Sequence, residues 1–181
     1  MTTSPERLIA HDKSAPLGPG VILTHPLIIA MLVLWIINDH VLKSLLANGL
    51  TGKLSDIASL AVFPLIPVAV YEIACGLRGV PTRGIKTVLY LSLFATGSVM
   101  VGINVWDGWA EAYRVGLGIC QWPFYAFAAV MTGDTVSPPH TVQLTMDPTD
   151  IWTLPSLMVP GWLQLSVIRR RREPIIPQAS F

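Results

Sequence analysis

PLIIAMLVLWII, residues 26–37, is the stretch whose reading decides the fold. It opens on a proline, which suits the first position of a helix because the missing N–H has no partner to lose there. Thr24 or His25 precedes it as a candidate cap. A surface helix carries one apolar stripe, whereas this segment is apolar all round, as a helix with no watery face would be. The pattern continues through Asn38, Asp39 and His40 into VLKSLLA, and Asn48-Gly49 supply a stop. The helix predicted over 26–47 is longer than the roughly twenty residues that cross a bilayer's hydrocarbon core. Its polar second half is therefore expected at or just beyond a membrane surface.

The rest of the chain supports an immersed helix. Charged residues make up only 13% of the 181 residues and hydrophobic ones 52%, against about 25% charged in ordinary soluble domains. Mean hydropathy is +0.57. A small globule needs polar side chains to cover its large relative surface, and this chain has too few. The expected partner is the lipid bilayer, together with membrane-protein partners or further copies of the chain. Net charge of +1 gives no global attraction to nucleic acid, and the basic run Arg169–Arg172 follows an apolar segment, where it reads as a membrane-flanking anchor. Cys75 and Cys120 show no ligand or disulfide spacing and read as core-filling residues. No metal or cofactor is expected.

The fold class this implies is an all-α membrane protein: a bundle of about four transmembrane helices plus a fifth apolar segment. Residues 1–20, rich in Pro and Gly, form a mobile tail without a cleavable signal pattern. Residues 21–168 form the helical domain, and 169–181 a basic tail. After the helix at 26–47, a polar turn Leu50–Leu54 leads to a second helix over 56–75, with Ser55 as N-cap and Asp56 in the first turn, where the helix dipole favours a carboxylate. Pro64 and Pro67 predict a kink in it. Glu72, near its end, has Arg78 as the nearest cation in sequence. The third helix covers 87–106, with Ser98 and Gly102 as a small-xxx-small pair. The fourth covers 115–131 and is expected to break at Gln121-Trp122-Pro123. Residues 133–146 are a polar connector. Asp147-Pro148-Thr149-Asp150 is a strong helix start for 148–168, but Pro155, Pro160, Gly161 and Gln164 leave that segment open to interfacial, re-entrant or spanning readings.

Lys and Arg collect on cytoplasmic flanks. Four spans with both termini inside place nine of the twelve cations inside; five spans ending inside place seven there. The four-span arrangement is therefore preferred, in a plasma membrane and, from compact loops and the lack of a targeting peptide, a bacterial one. It puts Asn38–Lys43, Lys53–Asp56 and Asp107 on one outer rim and Asp147–Asp150 on the opposite side.

The densest polar constellation is Asn38-Asp39-His40-x-x-Lys43, followed by Lys53-x-Ser55-Asp56. Asp39 and Lys43 share one helix face as an i,i+4 pair worth about 0.2–0.5 kcal/mol. Charges at mid-membrane cost roughly 2.5–3.5 kcal/mol each on insertion scales, so a group of them needs water or partners. One reading is a solvated helix end whose ion pairs fix the first hairpin. The other is a polar pocket, and three chemistries fit it. Asp39, His40 and Asp56 are candidates for divalent-metal ligation, although no recognised ligand spacing is present. Asp39 and Asp56 are candidates for a carboxylate acid–base pair. Lys43 and Lys53 are candidates for clamping the phosphate of a lipid headgroup, and Asn38 and Asp107 are further binding candidates.

The run Ile37–Lys43 is similar to the Asp-x-x-x-Lys of lipoprotein signal peptidases. Those enzymes work through two later aspartates in Asn/Asp-rich motifs closing their third and fourth helices. Here Val-Trp-Asp107-Gly-Trp stands in the first place and nothing in 115–131 matches the second, so membership is rejected. No phosphate loop or nucleophile elbow is present. The leading functional expectation is a non-enzymatic subunit or scaffold. The alternatives are a small membrane enzyme using Asp39, His40 and Asp56, and an oligomeric transport or channel element.

Overall fold

The structure, a computed structural model, describes residues 18–46 and 49–171, with the Leu46 side chain excepted. The predicted Asn48 stop and most of both tails lie outside the described residues. Among the described residues the chain is all-helical, and five helices are long and apolar enough to cross a membrane. They are α1 (Pro26–Leu45), α2 (Gly49–Leu77), α3 (Ile85–Val105), α4 (Asp107–Thr132) and α5 (Pro148–Arg170).

α1 begins where its sequence directs. His25 Nδ1 accepts from the Leu27 N–H at 3.2 Å, one of the donors a helix start leaves orphaned. At Asn38–Leu42 the helix widens into a π turn, with the Lys43 N–H reaching the Asn38 carbonyl. α2 starts at Gly49, not at Asp56, so the expected turn Leu50–Leu54 is helical and Ser55 lies inside the helix instead of capping it. The predicted kink is present as a break between Val62 and Leu65. Pro67 has no N–H to offer the Phe63 carbonyl, which takes the Ile66 N–H at 3.2 Å instead. The Ser92 hydroxyl donates to the Pro64 carbonyl at 2.7 Å from α3. α2 is the central element. Its Val62 and Leu65 pack with Ile22, Ile28 and Leu163, and Val68 packs with Ile85, Leu89 and Ile168.

α4 corrects the sequence reading twice. It starts at Asp107 rather than Val115, directly after the extended Trp106, and it runs unbroken through Pro123. Cys120 lies on its exposed side, so only Cys75 is a core residue. α5 opens as a 3-10 helix over Pro148–Leu157 and continues as α-helix over Met158–Arg170. The large apolar side chains that face outward include Leu77 at 85%, Phe94 at 75% and Phe124 at 76% exposure.

The path between α4 and α5 decides the topology. Residues 133–147 do not cap one end of the bundle. They run back along α4 in extended form, antiparallel to it: Ser137 O accepts from Trp122 Nε1 at 2.7 Å, the Val142 N–H reaches Arg114 O at 3.3 Å, and Leu144 O accepts from Arg114 Nη2 at 2.8 Å. Glycine at 118 makes this approach possible, since a Cβ there would lie 2.0 Å from the His140 carbonyl oxygen. At its end the Asp147 N–H donates to the buried Asn104 Oδ1 at 3.0 Å. The described residues thus hold five long helices, yet Arg171 Nη2 donates to Gly18 O at 2.8 Å. Both ends of the described chain meet at one end of the bundle.

Candidate functional site

The polar residues singled out in the first hairpin gather at the opposite end, around the α1–α2 turn. The π turn directs Asn38 inward, where it is fully buried. Its Nδ2 donates to Thr51 O at 2.6 Å and to Ser55 Oγ at 2.7 Å. Ser55 Oγ in turn donates to Asp39 Oδ1 at 2.5 Å, and Lys43 Nζ sits 2.7 Å from the same oxygen. The predicted i,i+4 pair is therefore present, with a serine from α2 added to it. Asn38 Oδ1 has no partner among the described residues.

Lys53 points the other way along α2 and reaches α5. Its Nζ donates to Thr149 Oγ1 at 2.7 Å and Asp150 Oδ1 at 2.8 Å, with Asp147 Oδ2 at 3.9 Å. Asp56 stands three positions beyond Lys53 on the same face of α2. The Asp147–Asp150 motif therefore joins the hairpin cluster rather than lying across the membrane from it. The extended return of residues 133–147 brings it there. Asp147 also caps α5 as its sequence predicts, accepting the Thr149 N–H at 2.9 Å and the Thr149 hydroxyl at 2.8 Å. These bonds hold its carboxyl below the usual carboxylate range, against a smaller opposing effect of desolvation.

Two candidates stand apart. His40 is exposed on the π turn and makes no hydrogen bond among the described residues. Asp107 is exposed at the first position of α4 and belongs to none of these contacts. Asp39 bonds Lys43 and Ser55, and Asp56 takes no part in those bonds. Among the described residues no group of three or more His, Cys, Asp or Glu side chains has metal-holding geometry. Thr51, Asn104, Asp147, Thr149 and Asp150 join the cluster from outside the constellation that the sequence marks.

A second polar cluster lies at the other end, around Glu72. This side chain is 1% exposed, and its carboxylate accepts from Gly20 N at 2.6 Å, Gln164 Nε2 at 3.0 Å, and Arg171 Nη1 and Nη2 at 2.8 and 3.2 Å. The expected Arg78 partner is replaced by Arg171, which the sequence marked only as a membrane anchor. The carboxylate ties down Gly20, so that end of the predicted mobile tail is fastened to the bundle.

Comparison with protein-family models, with curated proteins and with solved structures finds no match. What the two clusters do chemically is therefore read from their own bonds. Each draws distant segments together: the first joins α1, α2 and α5, the second joins the segment before α1 to α2 and α5.

Proposed function

We propose that this chain is an integral, multi-pass protein of a bacterial plasma membrane that acts as a non-enzymatic subunit, completing its α4 face against another membrane protein or a second copy. The observation that carries this is the extended return along α4. Among the described residues, the backbone N–H groups of Thr135, Val136, Ser137, His140 and Thr141 find no acceptor. In hydrocarbon each unpaired backbone group costs several kcal/mol, so irregular backbone at membrane depth needs protein around it. α4 is apolar enough to span, yet only 6% of its spanning window is buried. A neighbouring subunit answers both needs at once. The hairpin cluster supports the same reading, because its two lysines and three of its aspartates are already engaged with one another, Lys53 tying α2 to α5 and Ser55 tying Asp39 to α2.

The same geometry supports one sidedness. Arg78, Arg83, Lys86 and Arg169–Arg171 share the end where Gly18 meets Arg171. The preference of Lys and Arg for the cytoplasmic side assigns that end, with both termini, to the cytoplasm.

The test is disulfide crosslinking in native membranes, using Val136→Cys in a Cys75→Ala, Cys120→Ala background. A product of twice the chain's mass, or a conjugate with another membrane protein, is expected. Recovery of monomer alone, from this site and from Phe124→Cys, would contradict the proposal.

A second reading, a small membrane enzyme acting on a lipid or envelope substrate, is favoured by the gathering of Asp147 and Asp150 about Lys53, with Asp56 one turn away on the same helix. Asp56→Asn and Asp150→Asn that fold normally and leave the cell's envelope lipids unchanged exclude it.

A further inference from the structure

At the end assigned to the cytoplasm, an apolar groove of about 430 Å³ opens between the segment leading into α1 and the last turns of α5. Its volume falls in the roughly 300–1,000 Å³ range of small-molecule sites. Leu27, Trp162, Leu163 and Val167 line it, and His25 and Arg170 are its basic side chains. Both present donors. His25 Nδ1 accepts the Leu27 N–H as the α1 cap, so the ring's proton resides on Nε2, which is left to donate. Arg170 makes no ion pair or hydrogen bond among the described residues, whereas its neighbour Arg171 is committed to Glu72.

From this arrangement we infer that the groove binds an anionic phospholipid, with an acyl chain against the Leu27, Leu163 and Val167 wall and the headgroup phosphate at Arg170 and His25. An apolar trough bordered by donors, with no acidic side chain in its lining, complements an anion carried on a hydrocarbon tail. Basic pockets between helices on the cytoplasmic side recognise anionic headgroups in this way. The inference rests on the membrane reading proposed above, and its test separates the two.

The full chain, purified in maltoside detergent, is titrated with dioleoyl phosphatidylglycerol, dioleoyl phosphatidylcholine or inorganic phosphate. Lipid retention is read by native mass spectrometry. Phosphatidylglycerol is expected to be retained about fivefold better than phosphatidylcholine, as one interfacial arginine provides. Arg170→Gln brings the two lipids close to parity. Arg169→Gln, which removes a charge of the same run outside the groove, leaves the preference intact. Inorganic phosphate alone does not bind. Equal loss in Arg169→Gln and Arg170→Gln would show diffuse attraction to a basic tail and overturn the site, as would equal retention of the two lipids by the unaltered chain. Phosphate binding as strong as phosphatidylglycerol would make this a free-anion site and overturn the lipid assignment. Should Arg170→Gln fail to fold, Val167→Trp fills the groove and is expected to abolish the preference; a preference that survives it overturns the proposal. A chain that is monodisperse without detergent fails the membrane reading before any lipid is added.

Discussion

Glu72→Ala removes the acceptor at the centre of the cluster that joins Gly20, α2 and α5. Four donor atoms converge on that carboxylate at 2.6–3.2 Å, and the Glu72 side chain is fully buried while Arg171 is 21% exposed. The substitution strands a guanidinium, an amide and a backbone N–H in a site that water barely reaches. Breaking a buried ion pair from one side costs about 3–5 kcal/mol. At about 2–4 °C per kcal/mol for a chain of this size, the melting temperature should fall by about 6–20 °C. Lys43→Ala makes the internal comparison. That ion pair is 44% and 35% exposed, and its loss should cost no more than about 0.5 kcal/mol. Both variants are followed by tryptophan fluorescence on heating in the same detergent. Replacing both partners, Glu72→Leu with Arg171→Met, should recover much of the loss because no charge is left stranded. A Glu72→Ala melt indistinguishable from that of Lys43→Ala would refute the claim that this carboxylate holds the bundle end together.

The glycines of α4 give a paired contrast. Gly118→Ala should destabilise strongly and release the extended segment, read as faster hydrogen exchange at the Val142 amide, because its Cβ meets the His140 backbone at 2.0 Å. Gly116→Ala, with nothing within 4 Å of its Cβ, should be stabilising by about 0.5–1 kcal/mol through helix propensity alone. Lys53→Ala and Asp150→Asn should be non-additive, with the double variant losing clearly less than the sum of the singles in thermal melts, since each single removes the same 2.8 Å contact. For sidedness, Val80→Cys should react with a membrane-impermeant maleimide only from the cytoplasmic side and Leu45→Cys only from the other. The reverse pattern would invert the assignment.

Much of this architecture is legible in the sequence because it rests on local rules. The apolar run at 26–37 gives a helix wherever it lies, His25 and Asp147 cap the helices that follow them, and Pro64 with Pro67 breaks α2 where a freed carbonyl must find another donor. Asn38, Asp39, Lys43 and Ser55 come together because the turn between their helices is short. What sequence reasoning misses is long-range. Lys53 and Asp150 are 97 positions apart, and their meeting depends on residues 133–147 running back along α4, a path their polar, proline-rich composition does not specify. Proximity in sequence pairs Glu72 with Arg78, but Arg171, 99 positions away, arrives just past the last turn of α5. Gly118 was the available signal for the return: a glycine in a helix interior is costly, and here it admits a crossing backbone. Pro123 misled in the opposite direction, since α4 absorbs the loss of one backbone donor without breaking.

Immersion of the five helices in lipid underlies sidedness, subunit role and lipid site alike. Extraction of native membranes with alkaline carbonate, followed by flotation, tests it most directly. The chain should float entirely with the lipid and enter solution only when detergent is added. Recovery as a monodisperse particle in detergent-free buffer would contradict the account.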